Sequence, residues 1–369
     1  MRKTFAEINL SSLQHNFLQI KKKCLNKKIL AVVKADAYGH GMIECSRALL
    51  KLGKNSPDYF GVALLEEGIE LREAKINNKP ILLFSPFSEE EIEYYNKYKL
   101  IPTIASELNV YQLLKLKNKI RIQINVDTGM GRLGLNYDNA VQLISKIASK
   151  SNIKIDGIYT HFACSDDEDK SFTFNQIKKF KLILKQLSNL NLEYGIAHAA
   201  NSGAIINYPT SYFDMVRPGI SLYGYSPTPY LKNKIELKPV MSLLTYVSTI
   251  RQLKKGESVS YGRKFIAKKN SRIATLPIGY ADGLNRNLTN KIKAIINHRT
   301  YSQVGRVTMD RIMLDVTNSD VKENDKVILL GETHENRIDA WDWSKILRTI
   351  PYEVTCNISK RIPRFYIEE

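Results

Sequence analysis

Residues 29–41 read ILAVVKADAYGHG, in which a short apolar run ends at a lysine. The run 29–33 is apolar and rich in β-branched residues, which is typical of a buried strand. Lys34 follows directly, and partial removal of a lysine from water lowers the pKa of its ammonium group. A neutral lysine amine is a nucleophile that forms a Schiff base with an aldehyde. The alternative is a surface lysine before an ordinary turn, and this stretch alone leaves both interpretations open.

Similar apolar runs recur after this stretch and mostly alternate with helical patterns. The eight predicted strands are 29–33, 60–63, 80–84, 101–104, 120–126, 155–161, 194–199 and 213–217. Their number and spacing favour an α/β fold of the (β/α)8 TIM-barrel type. An open doubly wound sheet has the same rhythm, but no Gly-x-Gly-x-x-Gly turn follows the first predicted strand, where such a sheet would carry it.

The pattern changes near residue 227, where Pro227-Thr228-Pro229 interrupts the chain. Short alternating stretches follow, and helical periodicity returns only over residues 338–349. We therefore expect residues 6–230 to form the barrel. Residues 231–369, together with 1–5, are expected to form a mainly-β C-terminal domain.

Composition and charge exclude several classes of protein. The 369-residue chain carries a formal charge of +18, but the excess is mostly dispersed lysine without a nucleic-acid-binding motif, so we expect no nucleic-acid partner. No run of about 18 apolar residues is present, so we expect no membrane partner. The first seven residues lack the apolar core of a signal peptide, and the four cysteines have no metal-type spacing. These features predict a cytoplasmic protein with reduced thiols and no metal site.

Polar residues follow the predicted strands at the end where such barrels carry their active sites. These are Lys34, the loop 127–132, His161, Asn201-Ser202 and Arg217. The turns 201–203 and 218–220 follow strands seven and eight, and their small residues let backbone N–H groups approach an anion. Each turn alone is common, but together with Lys34 they indicate a phosphorylated aldehyde cofactor, pyridoxal 5'-phosphate.

Three other residues have both a chemical and a structural interpretation. Arg132 ends a glycine-rich loop, and its guanidinium group either binds a carboxylate through two bonds or lies free on the surface. His161 follows a strand near Arg217, although a lone histidine is more often a satisfied core residue. Tyr261 lies in a tight polar turn and, taken alone, is more often structural than catalytic.

Over essentially its full length, the chain resembles bacterial alanine racemases, a family of pyridoxal-phosphate enzymes. The matching segments are 31–41, 126–134, 161–163, 200–202, 216–224, 260–263, 278–283, 304–310 and 352–354. The lysine motif is highly specific. The turn around Tyr261, together with Val-Thr-Met-Asp at 307–310, separates racemases from other barrel proteins that bind the same cofactor.

The resemblance implies interconversion of L- and D-alanine, which supplies D-alanine for peptidoglycan synthesis. Inversion of the α-carbon needs a base on each face, and the implied bases are Lys34 for D-alanine and Tyr261 for L-alanine. Lys34 also holds the cofactor. A tyrosine with a pKa near 10 needs cationic neighbours to act as a base, and the resemblance implies His161 and Arg217. Arg217 is expected to face the pyridine nitrogen without giving up its proton.

The resemblance assigns the remaining site residues in the same way. The implied cofactor-binding set, besides Lys34 and Arg217, is Tyr38, Asn201, Ser202, Gly219, Ile220 and Tyr352. Arg132 and the Met309 backbone are expected to bind the substrate carboxylate, and Tyr280 is expected at the active-site entrance. The resemblance also implies a head-to-tail homodimer with shared active sites, in which the C-terminal domain of one chain supplies Tyr261 and Met309 to its partner.

One position departs from the family pattern. Several members carry a carbamylated lysine that steadies the carboxylate-binding arginine, but this chain has Asn125, which cannot be carbamylated. We expect Asn125 to bond Arg132 directly, or an anion such as chloride to fill the gap, and we expect activity that does not depend on bicarbonate.

Two alternative functions stay open at this point. One is a racemase of broader specificity that acts, for instance, on serine. The other is a non-catalytic pyridoxal-phosphate carrier, a class that is usually a barrel alone and lacks the tyrosine turn.

Overall fold

A computed structural model describes residues 3–368. Residues 1, 2 and 369, which the expected domain assignment included, lie outside the described residues. The chain forms two compact units. The barrel unit contains Gln14–Ala37 and Met42–Lys238, and the C-terminal unit contains residues 3–13, Tyr38–Gly41 and residues 239–368. The sequence-based division assigned residues 6–13 to the barrel, whereas the structure groups them with the C-terminal unit because Phe5–Asn9 pairs with two of its strands.

The helices are α1 (Leu10–Lys23), α2 (Lys34–Gly39), α3 (Met42–Leu50), α4 (Leu65–Glu73), α5 (Ile92–Lys97), α6 (Glu107–Lys115), α7 (Ala140–Ala148), α8 (Ser171–Asn189), α9 (Ser202–Asn207), α10 (Ala340–Leu347) and α11 (Pro351–Cys356). The strands up to residue 216 are β1 (Phe5–Asn9), β2 (Lys28–Val32), β3 (Tyr59–Val62), β4 (Ile81–Pro86), β5 (Leu100–Ile104), β6 (Ile120–Asp127), β7 (Leu135–Asn136), β8 (Ile153–Tyr159), β9 (Ile196–His198) and β10 (Met215–Val216). The later strands are β11 (Met241–Tyr246), β12 (Thr249–Leu253), β13 (Ser258–Val259), β14 (Phe265–Ile266), β15 (Ser271–Leu276), β16 (Lys293–Ile296), β17 (Arg299–Val304), β18 (Ile312–Asp315), β19 (Lys326–Glu332), β20 (Arg337–Ile338) and β21 (Arg364–Ile367).

The barrel unit is a closed ring of parallel strands. The order is β5-β4-β3-β2-β10-β9-β8-β6, and pairing of β5 with β6 closes the ring. The short strand β7 adds to β6 outside the ring. The predicted (β/α)8 barrel is confirmed, and the closed ring excludes the open doubly wound sheet. Because all strands run in one direction, their carboxyl ends meet at one mouth.

The short helix α2, which follows β2, is a left-handed helical turn rather than an ordinary right-handed helix. The φ angles of Ala35, Asp36, Ala37 and Tyr38 are +53°, +52°, +53° and +55°. Left-handed helical backbone costs about 1–2 kcal/mol per non-glycine residue, so the turn needs external support. Within the barrel unit, the Ala35 N–H donates to Glu67 Oε1 (2.6 Å), and Asp36 Oδ1 accepts the N–H of Met42 (2.7 Å).

The C-terminal unit is mainly β, as predicted. Its large sheet has the order β12-β15-β18-β17-β16-β19-β11-β1-β21, with β20 beside β19, and β13 and β14 form a separate hairpin. The parallel pair is β1 and β21, and β1 also pairs antiparallel with β11. Helix α10 starts at a capping box in which Asp339 Oδ1 accepts the N–H of Trp341 (2.8 Å) and Asp342 accepts the N–H of Asp339 (2.8 Å).

Among the helices of residues 3–368, none combines the length and the apolar character needed to cross a membrane.

Candidate active site

Three of the predicted site residues follow strands at the barrel mouth. Lys34 follows β2, His161 lies two residues beyond β8, and Arg217 directly follows β10. Lys34 Nζ lies 6.0 Å from the centroid of the Phe84 ring. Burial, together with the positive charges of Arg217, Arg132 and Lys34 in that order, lowers the pKa of His161 to about 3. Because all three charges act on His161, these three cations lie around its imidazole ring.

Arg217 is buried and anchored by several acceptors at the base of the mouth. Its Nη1 donates to His198 Nδ1 (2.7 Å), and its Nη2 donates to the carbonyls of Thr160 (2.8 Å) and Ala199 (3.0 Å) and to His161 Nδ1 (3.3 Å). Burial lowers the pKa of Arg217 to about 10, so it stays charged at neutral pH. None of the hydrogen bonds found among residues 3–368 uses its Nε, so one N–H remains available to an acceptor at the mouth.

A buried polar layer beneath Arg217 was missed by the sequence reasoning. His198 Nδ1 accepts from Arg217, so its Nε2 carries the proton and donates to Gln123 Oε1 (2.8 Å). The Tyr159 ring stacks on His198 at 5.0 Å and lies 5.1 Å from the Arg217 guanidinium carbon. Burial and the charge of Arg217 hold the pKa of His198 well below its usual range. The only signal in the sequence was the presence of polar residues inside predicted apolar strands.

The turns after β9 and β10 form an anion cradle. Ser202 Oγ accepts the N–H groups of Gly219 (2.9 Å) and Ser221 (3.3 Å). Asn201 caps α9, where its Oδ1 accepts the N–H of Ala204 (3.0 Å). The Asn201 side chain therefore stabilises the turn that forms this part of the cradle.

Three N–H groups of this cradle indicate that it binds an anionic ligand. The backbone N–H groups of Ser202, Gly203 and Ile220 are buried and have no hydrogen-bond partner among the described residues. Buried N–H groups are rarely left unpaired, so this cluster is suited to bind a phosphate.

The loop between β6 and β7 presents Arg132 at an exposed tip. Asp127 Oδ1 accepts the N–H groups of Gly129 (2.8 Å) and Met130 (2.8 Å), and Asp127 Oδ2 accepts that of Gly131 (2.9 Å). One carboxylate therefore shapes the glycine-rich loop that leads to Arg132.

Gln176 on α8 ties this loop to the segment that carries His161. Its Nε2 donates to the His161 carbonyl (3.1 Å) and to Thr128 Oγ1 (3.2 Å), and its Oε1 accepts the N–H of Ala163 (3.0 Å). Sequence reasoning did not find Gln176, because it lies within an ordinary helical pattern.

The C-terminal unit holds the other predicted site residues. Tyr261, Tyr280 and Met309 line one cleft of about 1430 Å³, and the Tyr261 side chain is 73% exposed. The rings of Tyr38 and Tyr352 lie 5.8 Å apart elsewhere in this unit. Burial raises the pKa of the Tyr38 phenol, which therefore stays protonated and can donate a hydrogen bond.

The matches to known proteins agree along the whole chain. The family model for the alanine racemase N-terminal domain matches residues 8–227, and the C-terminal-domain model matches residues 240–366. This chain belongs to the alanine racemase family. Alanine racemase of Halothermothrix orenii is 44% identical and covers 99% of this chain and 97% of that protein. A solved alanine racemase of Clostridium difficile 630 has a TM-score of 0.92 at 37% identity and covers 100% of this chain and 97% of that chain.

A second solved structure, which its title describes as the Clostridium difficile 630 alanine racemase in complex with cycloserine, has a TM-score of 0.89 at 36% identity and covers 100% of this chain and 96% of that chain. Membership of the alanine racemase family makes this chain an isomerase that uses pyridoxal 5'-phosphate and interconverts L- and D-alanine.

The residues at the barrel mouth fit the cofactor of the alanine racemase family. The unpaired N–H groups at Ser202, Gly203 and Ile220 match a phosphate, and Lys34 offers an amine to an aldehyde. The available Nε–H of Arg217 is a donor for a ring nitrogen. These features are properties of the donor set and do not depend on the family match.

Two expectations about alanine racemase residues are corrected by the structure. His161 was expected to be a cationic neighbour of a tyrosine base, but burial among three cations keeps it neutral at physiological pH. A direct bond from Asn125 to Arg132 was one of two expected arrangements. The Asn125 Nδ2 instead donates to the Leu133 carbonyl (3.1 Å), and no hydrogen bond joins Asn125 to the Arg132 side chain within residues 3–368. The Asn125 Oδ1 is buried without a hydrogen-bond partner among these residues.

Proposed function

We propose that this chain interconverts L- and D-alanine with Lys34 and Tyr261 as its two bases. The observation that carries the proposal has two parts. Lys34 follows β2, and the neighbouring strand β10 leads into the anion cradle, while an exposed tyrosine lines an open cleft. A racemase needs one proton-transfer group for each face of the α-carbon, and an amine and a phenol meet that requirement.

The cradle residues are proposed to bind and orient the cofactor. Ser202, Gly219 and Ile220 would hold its phosphate, and Tyr38 and Tyr352 would add hydroxyl donors. When bound, pyridoxal phosphate supplies an electron sink that acidifies the α-proton of alanine. Because Arg217 keeps its proton, it would donate a hydrogen bond to the ring nitrogen of the cofactor without transferring the proton.

His161 is proposed to act as a neutral donor. Its Nδ1 accepts from Arg217, so its proton sits on Nε2. A Nε2–H backed by a buried guanidinium group stabilises a phenolate, which favours Tyr261 as a base. This replaces the expected imidazolium with a neutral imidazole that relays the charge of Arg217.

Arg132 and the backbone of Met309 are proposed to bind the carboxylate of alanine, and Tyr280 to line the entrance. The Met309 N–H has no hydrogen-bond partner among the described residues, and Arg132 is exposed at its loop tip. A guanidinium fork and an unpaired N–H group are suitable carboxylate ligands.

The test is α-proton exchange of each alanine enantiomer in deuterated water. We expect Tyr261→Phe to lose exchange of L-alanine while keeping that of D-alanine, because only the phenol has been removed. Tyr246→Phe in the same unit, outside the cleft, is the matched control and should behave like the wild type. Equal loss of both exchanges in Tyr261→Phe, without loss of cofactor, would refute the assignment of the two bases.

We further propose that the active form is a homodimer in which Tyr261 serves the site of a second copy. Its high exposure in a single chain supports this proposal. Inactive Lys34→Ala and Tyr261→Phe chains, unfolded and refolded together in equal amounts, should recover about a quarter of wild-type activity, since half of the dimers then carry one intact site. Recovery of no activity, although mixed dimers form, would argue against shared sites.

We also propose that the reaction takes place in the cytoplasm and supplies D-alanine for peptidoglycan. The four cysteines are free in the structure, which suits a reducing compartment. Depletion of the protein in its host should create a requirement for D-alanine that L-alanine cannot meet. Growth without D-alanine after complete depletion, in a host with no second racemase, would contradict this role.

The two alternative functions are separated by one chiral assay. A racemase of broader specificity would convert L-serine about as well as L-alanine. A non-catalytic carrier would bind pyridoxal phosphate and convert neither.

A further inference from the structure

Two loops of the C-terminal unit form one side of the cleft and are bonded to each other. The Tyr280 N–H donates to the Thr308 carbonyl (2.9 Å), and the Ala281 N–H donates to the Met309 carbonyl (3.0 Å). We call residues 279–283 the tyrosine loop and residues 305–311 the methionine loop. Both loops contribute residues to the cleft wall.

Arg361 reaches a carboxylate on each loop. Its Nη2 donates to Asp310 Oδ1 of the methionine loop (2.8 Å), and its Nε lies 3.5 Å from Asp282 Oδ1 of the tyrosine loop. Asp282 is fully buried, and its Oδ2 accepts the N–H of Gly279 (3.0 Å). A buried carboxylate is tolerated when a cation and hydrogen bonds compensate it. Arg361 therefore compensates the buried charge of Asp282 in the tyrosine loop and anchors Asp310 of the methionine loop.

We propose that Arg361 is a positioning residue for substrate binding, because it clamps the methionine loop against the tyrosine loop. The proposal rests on the proposed function, in which the Met309 backbone binds the alanine carboxylate. Without the clamp, the methionine loop keeps its two backbone bonds but loses its side-chain anchor at Asp310. The Met309 N–H then samples positions away from the carboxylate, and carboxylate binding weakens.

The clamp predicts a specific kinetic effect. The bases Lys34 and Tyr261 lie outside both loops, so loss of Arg361 should affect carboxylate binding more than proton transfer. We expect Arg361→Gln to raise KM for alanine about tenfold, the change that accompanies loss of one well-placed contact, and to change kcat by less than about threefold. Arg361→Lys, which keeps the charge, should raise KM for alanine less than Arg361→Gln does.

Arg337 provides a matched control in the same unit. It also joins two carboxylates, with Nη1 3.9 Å from Glu332 Oε2 and Nη2 3.3 Å from Asp339 Oδ2. As with Arg361, one of these carboxylates is exposed and the other is buried. Arg337 does not line the cleft. Arg337→Gln should therefore cost similar stability and leave KM unchanged.

The experiment compares the holoenzymes of wild type, Arg361→Gln, Arg361→Lys and Arg337→Gln. It measures kcat and KM in both directions, the thermal midpoint, and the Kd of propionate by calorimetry. Propionate carries the carboxylate without the amine, so its binding reports the carboxylate site independently of the reaction. We expect the Kd of propionate and the KM of alanine to rise together in Arg361→Gln and to stay at the wild-type values in Arg337→Gln.

Equal changes of KM and of the propionate Kd in Arg361→Gln and Arg337→Gln would refute the proposed clamp. A fall in kcat at unchanged KM in Arg361→Gln would also refute it. If Arg361→Gln does not fold, Asp310→Asn removes the second partner of the clamp and should give the same increases. A wild-type protein that binds propionate but does not racemise alanine would refute the proposed function, and the propionate measurements would still test the clamp.

Discussion

Replacement of Gln176 by leucine tests how the barrel holds His161. Gln176 is fully buried, and its side-chain amide makes three hydrogen bonds to two loops. Leucine has a similar size and no polar atoms. The His161 carbonyl then loses the amide donor, while Thr128 Oγ1 keeps its bond to Thr160 Oγ1 (2.7 Å) and the exposed Ala163 can turn its N–H to water.

The magnitude follows from these three losses. A largely shielded carbonyl without a donor costs about 1–3 kcal/mol, and the partly buried carbonyl of His161 falls within this range, while the two other groups retain or regain a partner. We therefore expect Gln176→Leu to lower the free energy of unfolding by about 2 kcal/mol. Because His161 loses its backbone anchor, its 3.3 Å contact with Arg217 becomes less defined. We expect kcat/KM to fall about tenfold as a result.

Urea unfolding and steady-state kinetics measure these two effects. Gln186→Leu is the matched control, since Gln186 lies on the exposed side of the same helix, and it should change stability by less than about 0.5 kcal/mol. Gln176→Glu should be more destabilising at pH 7 than at pH 5, because only a protonated carboxyl group can donate to the His161 carbonyl. A Gln176→Leu variant as stable as the wild type would refute the reasoning.

Three other predictions follow from the structure. Activity should not change when bicarbonate is removed, because Asn125 cannot be carbamylated; a large dependence on bicarbonate would contradict this. Gly279→Ala should abolish alanine binding or folding, because its Cβ would lie 2.3 Å from the Met309 carbonyl oxygen, and a variant with wild-type KM and thermal midpoint would show that the loops move apart easily. His161 has a folded pKa of about 3 against 6.5 unfolded, so below about pH 6.5 the unfolded chain binds a proton that the native chain does not. Stability should fall by about 1.4 kcal/mol per pH unit from this residue as pH decreases towards 3, and urea unfolding of His161→Gln should show a shallower decline.

Periodicity and composition were enough to predict the barrel and the mainly-β unit. Each strand is recognised from neighbouring residues along the chain, so no knowledge of distant contacts is needed. The placement of Phe5–Asn9 is an exception, because a lone strand carries no information about which sheet it joins. Its partners are more than 200 residues away in sequence.

The sequence alone also determined which chemical groups are available. Lys34 at a strand end, the small residues of the two phosphate turns and the uncarbamylated Asn125 are all visible in the printed sequence. These are properties of residue type and local spacing, and folding does not alter them.

Tertiary structure alone decided the partners and the charge states. The neutral state of His161 depends on three cations that come from different strand ends, and on burial that local sequence does not report. The roles of Gln176 and Arg361 depend on atoms brought within hydrogen-bond distance from segments far apart in the chain. Hydrogen bonds and desolvation depend on distance in space, which a pattern of neighbours along the chain does not contain.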